Sequence, residues 1–151
     1  MIMTRIEFRE ATAGDISAIL KIESESFEFP WPESMFRNQL ELRPVAMMLV
    51  AETGSAVIGY AVVWFEGPDS HILNIAVGPE FRRRGVADRM LDEVIRISRH
   101  RDCERIYLEV RKNNTPARDF YLGRGFRITG AIEGYYRDSG EDALLLELSL
   151  N

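Results

Sequence analysis

Ser70-His71-Ile72-Leu73-Asn74-Ile75-Ala76-Val77, closed by Gly78-Pro79, leads into Arg82-Arg83-Arg84-Gly85-Val86-Ala87. The first run is apolar and strand-like, and the Gly-Pro pair stops it. From Gly85 to about Arg99 the period becomes helical. Val86, Met90, Val94 and Ile97 face one way, and Asp88, Asp92, Arg96 and Arg99 face another. A strand therefore passes through a basic, glycine-bearing turn into an amphipathic helix. Backbone N–H groups at a helix start are unpaired and carry about half a positive charge. Glycine there lets an anion approach the backbone, and the arginines add charge, so the segment has the makings of a phosphate cradle. It is neither the G-x-G-x-x-G fingerprint nor a P-loop, since no Gly-Lys-Ser/Thr follows. A solvated basic turn before a surface helix explains the same residues equally well.

Upstream, Arg5 to Arg9 alternates polar and apolar and reads as a first strand. Thr12-Ala13-Gly14-Asp15 reads as a helix start, with Thr12 as cap and Asp15 near the positive end. Ile16, Ile19, Leu20 and Phe27 form its apolar stripe, Pro30-Trp31-Pro32 breaks it, and Glu33 to Leu42 restarts a helix. Ala46 to Glu52 and Val57 to Phe65 read as a hairpin across Thr53-Gly54-Ser55. Downstream, Arg105 to Val110 is a short strand. Asn114 to Gly125 is a helix with Pro116 in its first turn, and Phe126 to Tyr136 and Asp142 to Leu150 are strands. The order β-α-α-β-β-β-α-β-α-β-β joins an antiparallel front half to βα units, an α+β pattern.

The 151 residues suit one domain, 1–151, with no linker, repeat or low-complexity tract. A 46% hydrophobic, 28% charged composition is that of a globular protein, neither disordered nor fibrous. Nineteen Lys and Arg against 24 Asp and Glu give a net charge of −5, which disfavours nonspecific nucleic-acid binding. One cysteine and two histidines exclude an internal disulfide, a cysteine-based zinc site and a histidine-rich metal centre. The N-terminus lacks a signal-peptide core, and no apolar run approaches the ~20 residues that span a bilayer. The expectation is a cytoplasmic domain with no metal and no membrane partner.

Chemistry-bearing residues gather in Leu108-Glu109-Val110-Arg111-Lys112-Asn113-Asn114 and in Phe120-Tyr121. Glu109 lies inside an apolar strand, a costly place for a carboxylate unless it is paired or working; alternation turning it to a wet face is the plain alternative. Tyr121 reads as a core tyrosine with a satisfied hydroxyl or as an acid, and Asn114 most simply as a helix N-cap. Cys103 sits between Asp102 and Glu104, whose charges would raise rather than lower its pKa, so it reads as a thiol at the start of a strand.

Arg82-x-x-Gly85-x-Ala87 after the strand Leu73–Val77 carries a resemblance, and four stretches support it: Phe29-Pro30-Trp31; Asn74-Ile75-Ala76-Val77 with Pro79; Leu108-Glu109-Val110-Arg111 through Asn114, Tyr121 and Gly125-Phe126; and Tyr135-Tyr136 with Glu141-Asp142-Ala143. Together they resemble the GNAT N-acetyltransferases and, within them, the ribosomal-protein-alanine N-acetyltransferase group. The resemblance implies a mixed, mostly antiparallel central sheet flanked by helices, and acetyl-coenzyme A as co-substrate. It implies that Ile75, Ala76 and Val77 lie along the pantetheine arm, with Ile75 and Val77 offering backbone hydrogen bonds. Arg83, Arg84, Gly85, Val86, Ala87 and Asp88 would surround the pyrophosphate, and Asn114 would also contact the cofactor. Glu109 would be the general base and Tyr121 the general acid, while Phe29, Trp31, Tyr135 and Tyr136 would flank the acceptor. Arg82 stands where glutamine is also common, Ala87 where glycine is common, and Asn113 replaces a frequent serine. The implied partner is a protein N-terminus, that of a small-subunit ribosomal protein, and the implied assembly is a monomer or weak dimer. Acetylation of a small amine and a non-catalytic acyl-coenzyme A-binding module are the competing readings.

Overall fold

The computed structural model describes residues 5–151. Its elements are β1 (Glu7–Glu10), α1 (Ile16–Ser26), α2 (Glu33–Glu41), β2 (Ala46–Thr53), β3 (Ala56–Glu66), β4 (Asp69–Val77), α3 (Val86–His100), β5 (Arg105–Arg111), α4 (Thr115–Gly123), β6 (Arg127–Ile132) and β7 (Ala143–Ser149). This is the order expected from the sequence. The strands form one sheet, β1-β2-β3-β4-β5-β7-β6, in which only the β4–β5 pair is parallel.

Both faces of the sheet are covered, because alternate residues of the central strands are apolar on both sides. Met48, Val50, Tyr60, Val62 and Ala76 pack against Ile16, Ile19 and Ile22 of α1 and Phe36 of α2. Leu49, Ala61, Ile106, Leu108 and Leu146 pack against Val86, Met90, Leu91 and Val94 of α3, and Tyr121 of α4 joins that second core.

The sheet has an internal fault that creates the site. In the β3–β4 ladder Val62 opposes Asn74 and Val63 opposes Ile72, so Leu73 is an extra residue, a bulge that bends β4. Pairing of β4 with β5 covers only Asp69–Arg105, Ser70–Ile106 and His71–Tyr107. Beyond His71 the two strands part, and Leu73–Val77 has no strand partner on the β5 side. Gly78 N donates to Ile58 O at 2.8 Å, and Val77 opposes Gly59. In that ladder pattern Ala76 bonds to β3, and the backbone groups of Ile75 and Val77 face the open edge.

Two local expectations change. A strand over Phe126–Tyr136 is too long: β6 stops at Ile132. Gly134, at φ +60°, turns the chain, and its N–H donates to Asp142 Oδ1 at 2.8 Å. At the start of the first helix the cap works in reverse. Asp15 Oδ2 accepts from the Thr12 N–H at 2.7 Å, after a short 3₁₀ turn over Ala13–Asp15. Arg9 grips the same carboxylate at 2.8 and 3.0 Å and holds its pKa down at about 2, against an ordinary 3.8. A lowered folded-state pKa stabilises above the unfolded value and is lost as pH falls through the folded one. Asp15→Asn should therefore cost about 1–2 kcal/mol at pH 7, allowing for the partly exposed Arg9. In urea titrations the gap to wild type should close as pH drops from about 4 towards 2.

Candidate active site

The parting of β4 and β5 opens a cavity of about 430 Å³ that passes through the sheet. Residues from both faces therefore meet in it. On β5, Ile106, Leu108 and Val110 are buried, and Tyr107, Glu109 and Arg111 alternate onto the α1 face. Both readings of Glu109 thus converge, because its wet face is the wall of this cavity. Tyr121 enters from the opposite side, its ring packed 5.1 Å from Phe120 and 5.2 Å from Phe126. Ile75, Asn114, Phe29, Trp31 and Tyr136 also line the space.

Glu109 is held on one oxygen only. Oε1 lies 2.8 Å from His71 Nε2 and accepts from the Tyr135 hydroxyl at 3.3 Å. Oε2 has no partner among the described residues, yet no buried side-chain polar atom there is left unsatisfied, so Oε2 is open to the cavity. The Tyr121 residue is buried, and its hydroxyl likewise has no protein partner and is not sealed off. The expected satisfied hydroxyl is therefore not what the fold provides. Burial pushes the Tyr121 pKa above the ordinary 10, so the phenol keeps its proton through the neutral range.

The aromatic residues divide. Phe29, Trp31 and Tyr136 face the cavity, and Tyr135 instead touches Glu109. Arg111 organises this rim: its guanidinium lies 4.0 Å over the Tyr136 ring and 5.2 Å over Phe29, and it bonds Asp138 at 2.8 Å. Glu23 does the same from α1. Its buried carboxylate accepts from the Trp31 N–H at 2.8 Å, from Asn74 Nδ2 at 2.7 Å and from the Tyr60 hydroxyl. Burial and the Glu23 charge push the Tyr60 pKa far up. His71, Glu23, Asn74 and Arg111 are absent from the site expected from the sequence. Glu23 does carry a signal there, since it falls seven residues after Ile16 and four after Ile19, on the apolar stripe of α1.

At the far end of β4 lies the basic turn. No side chain caps α3, so the N–H groups of its first turn remain available. Gly85 has φ +78°, and a side chain built on it would meet no atom within 4 Å, so the space before the helix is open. Arg83, at φ 62°, is a non-glycine residue in the left-handed region, a cost of about 1–3 kcal/mol typical of functional turns. Arg83 and Arg84 form no ion pair among the described residues. Asp88, in the first turn of α3, is neutralised by Arg124 at 2.9 Å. Asn114 caps α4 by accepting from the Ala117 N–H at 3.2 Å while lining the cavity. An open strand edge that ends at an uncapped helix start fits a long ligand with an anionic end. One backbone group on that edge is already engaged: the Val77 carbonyl accepts from Arg82 Nε at 2.9 Å.

The profile of the acetyltransferase (GNAT) family matches residues 16–126. The chain belongs to the GNAT family. A Bacillus subtilis protein provisionally named [ribosomal protein bS18]-alanine N-acetyltransferase is 33% identical over 98% of each chain. The [ribosomal protein bS18]-alanine N-acetyltransferase of Salmonella typhimurium is 30% identical, over 91% of this chain and 93% of its own. Among solved structures, the ribosomal-protein-S18-alanine N-acetyltransferase of Escherichia coli superposes with a TM-score of 0.88. It is 24% identical and covers 97% of this chain and 95% of its own. As a GNAT enzyme the chain is an N-acetyltransferase whose donor is acetyl-coenzyme A. Among the described residues no cluster of metal-ligating side chains occurs and no helix is long and apolar enough to cross a membrane.

The open space before α3 allows a test of where the donor's phosphates sit. Gly85→Val places a β-branched residue at positive φ and fills the space before α3. Acetyl-coenzyme A should then raise the Tm of wild type strongly and that of the variant little, with the dissociation constant weakened at least tenfold by calorimetry. Binding as tight as wild type by a folded variant would put the phosphates elsewhere.

Proposed function

We propose that this GNAT enzyme acetylates the N-terminal α-amino group of a protein, the alanine-headed N-terminus of a small-subunit ribosomal protein in the cytoplasm. The observation that carries the chemistry is that two groups without a protein partner, Glu109 Oε2 and the Tyr121 hydroxyl, line one cavity from opposite faces of the sheet. The names of the relatives at 33% and 30% identity support the acceptor. So does the rim of Phe29, Trp31 and Tyr136, which offers rigid contact area for the first residues of a peptide. A net charge of −5 favours encounter with a basic partner.

The donor, when bound, supplies an acetyl thioester. Ile75 and Val77 hold its arm along the open edge of β4, Asn114 contacts it, and Arg83 to Asp88 take its phosphates at the start of α3. Glu109 Oε2 receives a proton from the acceptor ammonium, leaving the lone pair on nitrogen. An α-ammonium, with a pKa of about 7.7–8.0, yields that proton far more readily than a lysine at about 10.4. As nitrogen bonds to the acetyl carbon and the C–S bond breaks, Tyr121 would donate its proton to the departing sulfur and be restored by the second proton that nitrogen sheds in becoming the amide. Cys103 is buried at the start of β5 and takes no part.

The test is an array of peptides with varied N-terminal residues, incubated with acetyl-coenzyme A and read by mass spectrometry. Acetyl on the α-nitrogen, with alanine-headed peptides preferred, is the expected result. Acetyl only on internal lysines would refute the N-terminal assignment, and free small amines outpacing every peptide would favour the small-amine reading.

A further inference from the structure

We infer that His71 is a positioning residue for the acetyl transfer, one that fixes which oxygen of Glu109 receives the proton; this rests on the reading of Glu109 as the base. His71 is the last β4 residue paired with β5, opposite Tyr107, at the point where the strands part. Its ring is held two ways. It stacks on Tyr107 with centroids 4.2 Å apart and planes 13° apart, and the Tyr107 hydroxyl is itself fixed by donating to Glu66 Oε1 at 2.8 Å. Its Nε2 lies 2.8 Å from Glu109 Oε1, and Nδ1 faces Glu66 at 3.6 Å without bonding to it.

An imidazole stacked on its neighbour, on a residue whose backbone is fixed in the β4–β5 ladder, presents Nε2 in a fixed direction. Nε2–H donates to Glu109 Oε1, and the Tyr135 hydroxyl donates to the same atom. With Oε1 occupied twice, Oε2 is the atom aimed into the cavity. The proton leaves the acceptor ammonium for Oε2, the electron pair stays on nitrogen, and His71 gains and loses nothing. A carboxylate free to swing between two orientations would meet the ammonium in the right geometry less often, and small misplacements of a catalytic group cost up to about 10²-fold in rate. His71 thus extends the site one residue towards the surface, to the half-exposed Glu66.

The experiment compares wild type, His71→Leu, His71→Gln, Glu109→Gln and the His71→Leu/Glu109→Gln pair. It measures kcat and KM for an alanine-headed peptide, acetyl-coenzyme A affinity by calorimetry, and Tm. His71→Leu should lower kcat about tenfold with peptide KM and donor affinity near wild type. His71→Gln, whose side-chain N–H can still reach Oε1, should recover most of that loss. In the Glu109→Gln background His71→Leu should remove nothing further, since the two residues act as one unit. Undiminished kcat in His71→Leu, no rescue by Gln, or losses that simply multiply in the double variant would each overturn the inference. Full activity in Glu109→Gln would overturn the reading of the base, and this inference with it. Loss in Glu109→Gln beside normal His71→Leu would sink this inference alone.

Discussion

Glu109→Gln should lower kcat about 10²–10⁴-fold at pH 7 while leaving acetyl-coenzyme A affinity nearly intact. The change keeps the shape of the side chain and its place on the cavity wall, and removes only the charge and the basic oxygen. Glutamine can still accept from the Tyr135 hydroxyl and from His71, which both touch Oε1. A folding defect is therefore not expected, and Tm should confirm that. The loss should also depend on pH in a definite direction. An α-amine with a pKa near 8 supplies its own neutral form as pH rises, so less work remains for a base. The ratio of wild-type to variant kcat/KM should fall between pH 7 and pH 9. A ratio unchanged over that range would mean that the carboxylate serves charge or position and not proton removal.

Tyr121→Phe should be the complementary lesion, with kcat down by a similar factor of about 10²–10⁴ and stability within about 0.5 kcal/mol of wild type. Such a clean separation is unusual for a buried tyrosine, whose hydroxyl normally has a partner that the variant orphans. Here it has none, so phenylalanine keeps the contacts with Phe120 and Phe126 and breaks no hydrogen bond. Proton release to sulfur is the step affected. Donors with more acidic thiol leaving groups should therefore be turned over by the variant with a smaller deficit than acetyl-coenzyme A. A variant that loses stability but not turnover would return Tyr121 to the core.

Much of this is legible in the order of the residues alone. The strand ending at Val77, the amphipathic α3 and the carboxylate inside Leu108-Glu109-Val110 each follow from period and composition, because those signals are local. The fault between β4 and β5 is not legible there, since it comes from a bulge at Leu73 that exists only in the pairing of β4 with β3. Without it there is no reason for Glu109 and Tyr121, on opposite faces, to share a cavity. His71 is hidden for a related reason: one histidine at the start of an apolar run acquires meaning only from Tyr107 beside it and Glu109 beyond. Tyr135 and Tyr136 are equivalent neighbours along the acceptor as far as the sequence can say. The turn after Gly134 separates them, sending one hydroxyl to Glu109 and one ring under Arg111.

Three residue pairs are all that splice β1–β4 to β5–β7 across the middle of the sheet. Backbone bonds across so short a seam do little to set the spacing of the two half-sheets, which rests instead on the core that both share against α3. Any extended chain laid into the opening adds backbone bonds along the unpaired length of β4 and so acts as a missing strand, stiffening the whole. Such a strand would tie the half that carries Glu23 to the half that carries Glu109 by bonds the sheet itself does not make.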